Sequence, residues 1–435
     1  MHLRDFTGID LLLLLATLAL VVFGILFIYS SGITSEGILI SSEYIRQIVW
    51  ASVGLISALI ISMLNYRRIY DITVYFYLGT IVLLLATFAF GRIFQGSRWL
   101  RVGPFGIQAS EFAKITTILF LAWHLENSKR NQKPFFRFAV SCIIVLIPML
   151  LILAQPDLGT ALVFLPILLG MTYIAALPMR YIAFFVLAVV LGGFFLVLPI
   201  WQTYIMQNAF PALLILVNKS FVMACCLVLA LIALIAGFGL IRYKRSYFYW
   251  ICYGAGTLIL SLGGSYLAQK VLRQYQVMRL IVFMNPNIDP RGSGWHIIQS
   301  ATAIGSGGAF GKGYLRGTQS HYRYLPEQST DFIFSILSEE WGFAGGILLF
   351  AVFLIILLRL VRIMKLSTDT FGLYITTGLV YMFGFHFIVN VGMTMGIMPV
   401  TGIPLLFVSY GGSALLSSMI GIGLALSVHA RRFLH

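Results

Sequence analysis

The chain has 435 residues, of which 60% are hydrophobic and only 10% charged. A water-soluble fold could not hide that much apolar surface, so composition excludes a soluble domain and makes lipid the solvent. The net charge of +15 would suggest nucleic acid in a soluble protein; here it is read as a topology signal, and no nucleic-acid partner is expected.

The apolar runs are unbroken and about 18–25 residues long, which means helices rather than alternating barrel strands. They predict an all-α polytopic membrane protein with about twelve spans. In chain order these fall roughly at 9–30, 47–64, 70–90, 110–125, 138–154, 159–177, 181–200, 220–240, 247–267, 332–358, 371–393 and 412–429. The first run follows MHLRDF without a small-residue cleavage site and reads as a retained helix. Cys142, Cys225, Cys226 and Cys252 all fall inside apolar runs, with neither disulfide nor metal-site spacing, and read as small buried hydrophobes.

Every second connection is rich in Lys and Arg. Arg67 and Arg68 mark the first; Lys129, Arg130, Lys133 and Arg137 the next; then Arg180; Arg242, Lys244 and Arg245; and Arg359, Arg362 and Lys365. With Arg4, Arg431 and Arg432 they make 16 of the 29 basic residues, and the positive-inside rule places both termini in the cytoplasm. The 13 others are concentrated outside. Arg92, Arg98, Arg101 and Lys114 occupy the 91–114 connection, and seven more, among them Arg279, Arg291 and Lys312, the 268–331 connection. Positive charge outside opposes the topology bias, so an anionic ligand at the outer face is the preferred reading over lipid headgroup contact.

The 268–331 connection is far longer than the rest, and its composition is that of a folded loop with short surface helices. In it, Asp289 precedes a proline, and Gly292 and Gly294 allow close backbone approach or positive φ. Such a carboxylate can serve as a general base or hold a cation, but a turn-stabilising Asx motif is an equal local reading. Glu111 and Lys114, spaced i, i+3 at the start of a span, form either a used pair or a structural ion pair. Asp157 reads as a helix N-cap, and Ser329 and Thr330 as caps of the tenth span. Glu339 and Glu340, two turns into that span, need polar neighbours; His386 and Asn390, one turn apart, could be a polar pair between helices, with packing the preferred reading. GIPLLFVSYGGS (402–413) is a broken, Gly/Pro-rich lead into the last span, tolerated where it is packed in protein or lines a cavity.

Taken in order, GSRWLRVGPFGIQASEFAK (96–114), AQPDLGTAL (154–162), DPRGSGWHIIQSATAIGSGGAFGKGYLRGTQS (289–320), LPEQSTDFIFSILSEEWGF (325–343) and NVGMTMGIMPVTGIPLLFVSYGGS (390–413) resemble the motifs of the SEDS family. These are polytopic glycosyltransferases that polymerise peptidoglycan from lipid II, and HIIQS, IGSGG and GTQS resemble the elongation-type, RodA-like branch. The resemblance places the family's essential loop aspartate on Asp289 and its acidic and basic pair on Glu111 and Lys114. The substrate-binding candidates are Glu111, Lys114, Arg98, Trp99, Arg279, Lys312, Gln299 and Ser300. Ala109, Ser329 and Leu406 stand where the family usually has proline, histidine and proline; a catalytic role at position 329 is therefore not expected. Family members typically have ten spans. The chain then reads as one integral membrane domain with an extra pair at 201–267 and a large extracytoplasmic loop at 268–331.

What the resemblance implies is an enzyme of the bacterial cytoplasmic membrane with its active site outside. Asp289 would take the proton of an attacking sugar hydroxyl, and outer arginines and lysines would meet the charge developing on the departing polyprenyl diphosphate. No cofactor is demanded; a divalent cation, Mg or Mn, is admissible, though no ligand spacing demonstrates one. The implied partner is a class B penicillin-binding transpeptidase, because the chain has no cross-linking domain, and the polyprenyl tail should lie among membrane lipids. A lipid II flippase and a non-catalytic scaffold are the rivals. The flippase would need charge near the bilayer midplane, whereas the charges here gather at the outer rim.

Overall fold

A computed structural model of the chain describes residues 8–91, 99–102, 105–129, 132–202, 216, 218–272 and 274–432. Ten helices among them are long and apolar enough to cross a membrane. In chain order, the first half of the chain holds α1 (Leu11–Ser31), α2 (Glu43–Met63), α3 (Tyr66–Gly91), a hairpin of β1 (Trp99–Val102) and β2 (Phe105–Gln108), α4 (Ala109–Asn127), α5 (Pro134–Ala154), α6 (Leu158–Leu162), α7 (Phe164–Ile174) and α8 (Met179–Trp201). There follow α9 (Lys219–Tyr243), α10 (Ser246–Val271), α11 (Gln274–Met284), a 3₁₀ turn (Pro286–Ile288), α12 (Ser293–Ser306), α13 (Thr318–His321), α14 (Ile333–Leu366), α15 (Thr370–Thr394) and α16 (Gly412–Ala430).

All twelve predicted spans have helical counterparts, and the two outside the ten have physical reasons for being so. Helix α4 carries Glu111, Lys114 and Glu126, which lower its hydropathy. The sixth predicted span is split at Val163 into α6 and α7. Pro166 has no N–H to give the Leu162 carbonyl, so an unbroken ladder is impossible there. The tenth span is also not one straight helix: Gly342, at φ 64° and ψ −158°, breaks α14. Ser329 and Thr330 do not cap it. Its N-cap is Phe332, with no side-chain bond, because Asp331 and Phe332 turn back onto the Glu327 carbonyl (3.1 and 3.4 Å). That turn leaves both hydroxyls too far upstream.

The chain forms two compact units. The first comprises Met1–Ala176 with Trp295–His435. Apolar contact with lipid costs a membrane helix nothing, so close packing needs small residues. Accordingly a Cβ at Gly423 of α16 would stand 2.7 Å from the Ala58 carbonyl of α2, and one at Gly24 of α1 2.5 Å from the Val408 carbonyl. Connections that the sequence assigns to the inner face meet at one end of this unit. Arg359 pairs with Asp10, the N-cap of α1, at 2.6 Å. Asp369, the N-cap of α15, takes the Tyr66 hydroxyl at 2.7 Å and Arg67 Nε at 3.0 Å. At the other end, His321 Nδ1 meets the Ile33 carbonyl at 2.8 Å, and Gln328 donates to Ser31 O at 2.8 Å.

The second unit is Leu177–Gly294. Helices α9 and α10 form a tight hairpin closed by Lys244 in the left-handed region (φ 51°). Ser261 ties α10 to α8 by donating to Ala188 O at 3.2 Å. The Arg180 guanidinium sits over the Tyr181 and Tyr249 rings, 5.1 and 5.6 Å from their centroids. Leu227, Ile235 and Phe238 on α9 are exposed, as a lipid-facing surface requires.

Candidate active site

The β1–β2 hairpin delivers the chain into α4. At its end the Gln108 amide donates to Ser413 Oγ (3.0 Å), and Gln108 Nε2 donates to Asp157 Oδ2 (2.9 Å). Asp157 also caps α6 as expected, accepting from Thr160 N at 3.2 Å. With Ala109 in place of a proline, α4 still starts at once, without a side-chain cap. Glu111 lies in its first turn, where the helix dipole favours a carboxylate. Lys114 Nζ reaches back to Glu111 Oε2 at 2.8 Å, and the two side chains are 1% and 3% exposed. The pair is sealed inside the first unit. Ser417 of α16 donates to Glu111 Oε2 at 3.4 Å, and His386 Nε2 of α15 lies 3.0 Å from Lys114 Nζ.

His386 and Asn390 therefore do not partner each other. Asn390 Nδ2 donates to the Asp331 and Ile403 carbonyls (3.0 and 2.7 Å), and His386 Nδ1 lies 3.2 Å from Pro404 O. Both side chains serve the non-helical segment before α16, in which Gly402 and Phe407 take positive φ. Leu405, Leu406, Phe407 and Val408 are buried there, so this broken backbone is packed in protein.

The long loop locks onto the break in α14. Where Gly342 interrupts the ladder, the Glu339 and Glu340 carbonyls accept from the Lys312 and Gly313 amides (3.0 and 2.9 Å). A Cβ at Gly311 would lie 2.0 Å from Glu340 O, so only glycine fits. The Glu339 carboxylate is fully buried and gathers Thr318 N (2.8 Å), Gln319 N (3.0 Å) and Lys312 Nζ (2.7 Å). Glu340, equally buried, accepts from Ser30 Oγ and lies 3.7 Å from His321 Nε2. Tyr314 donates to Leu26 O at 2.9 Å, and burial, followed by the charge of Glu340, pushes its hydroxyl up to about 12. Lys312, a candidate for the diphosphate, pairs with Glu339 while its side chain stays 27% exposed. The sequence showed only that the two glutamates needed polar neighbours.

Asp289 belongs to the second unit, in a turn of its own making. Its Oδ1 accepts from Gly292 N at 3.0 Å, and its carbonyl accepts from Gly294 N at 3.0 Å. A Cβ at 292 would lie 2.3 Å from Asp289 Oδ2, and one at 294 the same distance from Pro286 O. The glycines are there for close approach rather than positive φ, and the Asx turn is real. The side chain is half-buried, and Asp289 sits at φ −136°, ψ 68°, outside the helical region as a residue before proline should be. Arg279 of α11 lies over the Tyr275 ring at 5.7 Å.

The remaining candidates separate cleanly. Trp99 opens β1 and is 45% exposed, and Gln299 is half-buried on α12. Ser300 is fully buried, donating to Thr394 O at 2.6 Å with its oxygen 2.6 Å from Ser335 Oγ. It fastens α12 to the bundle. Arg98 lies outside the described residues. Among the described residues no group of three or more His, Cys, Asp or Glu is placed to hold a metal ion.

The family profile for FtsW, RodA and SpoVE, described as cell cycle proteins, matches residues 10–208 and 200–433. The peptidoglycan glycosyltransferase RodA of Treponema pallidum is 51% identical over 433 residues, 99% of this chain and 100% of the relative. The peptidoglycan glycosyltransferase MrdB of Escherichia coli K12 is 32% identical over 98% of this chain and 95% of its own. Among solved structures, a chain from work on the structural coordination of polymerization and crosslinking by a peptidoglycan synthase complex matches with TM-score 0.66 at 24% identity, covering 98% of this chain and 99% of that one. The Thermus thermophilus rod shape determining protein RodA matches with TM-score 0.60 at 24% identity, covering 98% of each.

Proposed function

This chain belongs to the FtsW, RodA and SpoVE family, and from that premise we propose a mechanism in which Asp289 is the base and fixed cations receive the leaving group. The chain is a peptidoglycan glycosyltransferase of the elongation type. The observation carrying that activity is the end-to-end identity of 51% with a RodA of the same activity.

Lipid II is the proposed donor. An acceptor sugar hydroxyl attacks the donor's anomeric carbon, the new C–O bond forms, and the bond to the diphosphate breaks. The hydroxyl proton passes to the Asp289 carboxylate, and polyprenyl diphosphate leaves with the electron pair. General-base help of this kind contributes about 10²–10⁴-fold. The amide of Gly292 holds the carboxylate by Oδ1, so its orientation is set before substrate arrives. Arg98 and Arg279 supply positive charge to the departing diphosphate. Lys114, braced by Glu111, adds a fixed potential from inside the bundle, where low dielectric makes a charge count for more.

The reaction face is proposed to be extracytoplasmic, with both termini in the cytoplasm of a bacterial inner membrane, as the Lys and Arg distribution supports. A class B penicillin-binding transpeptidase is the proposed partner, supported by the likeness to a chain from a complex that couples polymerization to crosslinking. The test is reconstitution of the chain and that partner in vesicles with lipid II in the outer leaflet. Glycan strands should appear on the outside. Lipid II crossing the membrane without strand formation would contradict the proposal and favour a flippase.

A further inference from the structure

We propose that His386 is a positioning residue for Lys114 in glycosyl transfer, a neutral imidazole that aims the ammonium without cancelling its charge. The inference rests on the reading of Lys114 as a fixed charge of the active site. The Pro404 carbonyl can only accept, so His386 Nδ1, 3.2 Å away, carries the proton and donates. That leaves Nε2 with a lone pair in the neutral ring. Lys114 Nζ, 3.0 Å from Nε2, can only donate. Every bond in the chain from Glu111 through Lys114 and His386 to Pro404 then has one possible direction, and a protonated ring would set an N–H against an ammonium.

The chemistry explains why an imidazole stands there. Lys114 is fully buried, so each of its N–H bonds wants an acceptor. Glu111 supplies one and balances the charge; a second carboxylate would leave the site negative and repel a diphosphate. His386, itself buried to 1% exposure, supplies an acceptor with no charge. Its ring is in turn fixed by a carbonyl of the non-helical segment before α16, which Asn390 holds at Ile403 O (2.7 Å). The packing of that segment therefore sets the direction of the Lys114 ammonium.

The test uses the full chain with its partner, lipid II as substrate, and three variants. Gln in His386→Gln offers an acceptor at the reach of Nε2. Asn in His386→Asn reaches only as far as Nδ1, and His386→Leu removes both contacts. Loss of a hydrogen bond to a charged group predicts a fall in kcat of about ten- to a hundredfold for Asn and Leu, with KM little changed, and substantial rescue by Gln. In a Lys114→Met background His386→Asn should add no further loss. Yield, monodispersity and partner capture control for folding, and the Gln and Asn pair decides the matter if the Leu variant fails to fold. Wild-type kcat in His386→Asn beside a measurably impaired Lys114→Met overturns this inference alone, as do effects of the two substitutions that simply multiply. Wild-type kcat in Lys114→Met overturns the underlying reading of Lys114 first, and the inference with it.

Discussion

Lys114 holds its ammonium where water does not reach, and Glu111 at 2.8 Å is the charge that makes this tolerable. Removing one partner of such a pair costs about 3–5 kcal/mol because the other is stranded. Glu111→Ala is therefore expected to lower the thermal midpoint of the purified protein as well as its activity; unchanged melting would contradict a buried ion pair. Asp289 asks a different question of its neighbours. Gly294→Ala would set a Cβ 2.3 Å from Pro286 O, which forces the turn to rearrange. Polymerisation should fall at least tenfold, a barrier change of about 1.4 kcal/mol, while melting of the bundle stays near wild type. Normal polymerisation would mean that the turn's geometry does not matter to the reaction. Of these residues the sequence marked Asp289, Glu111 and Lys114, because carboxylates and lysines beside apolar runs stand out. It did not mark His386 as a partner of Lys114. Their spacing of 272 residues gives no local signal, and a histidine in an apolar helix reads as packing.

At the scale of elements, the latch between the long loop and α14 is the feature that periodicity could not show. Hydropathy predicts one continuous tenth span, and only the positive φ of Gly342 creates the break that the loop amides fill. Burying Glu339 among three loop amides and Lys312 links the 312–320 segment to the helix. Glu339→Ala strands those donors at about 1–3 kcal/mol each and is expected to loosen the loop, seen as faster amide exchange and proteolysis across 306–321. Lys312→Met separates two roles. If Lys312 is only part of the latch, this variant resembles a mild Glu339→Ala with unchanged KM for lipid II. A selective rise in KM with an undisturbed loop would return Lys312 to the diphosphate. The split of the sixth span follows from Pro166 and was open to prediction. The failed capping at Ser329 and Thr330 was not, because the turn onto Glu327 depends on how the loop returns to the bundle.

For the whole molecule, composition and charge placement carried most of the architecture. Ten candidate spans among the described residues, a folded long loop and basic connections meeting at one end of the first unit all follow from hydropathy and the distribution of Lys and Arg. The partition into two compact units does not, since apolar runs fill both and only three-dimensional packing separates them. Topology makes a direct prediction: single cysteines at the chain ends should be labelled by impermeant thiol reagents only from the cytoplasmic side, and a cysteine at Phe310, 85% exposed, only from outside; the reverse pattern would put the loop on the wrong face for an external glycan. The central claim is that this loop's aspartate takes the proton in glycan synthesis, and the rate of lipid II polymerisation by Asp289→Asn with its partner tests it most directly. The amide keeps an acceptor for the Gly292 amide but is no base, so strand formation should fall by about 10²-fold or more while yield, melting and partner binding stay at wild type. Polymerisation at the wild-type rate would remove Asp289 from the chemistry and contradict the mechanism built on it.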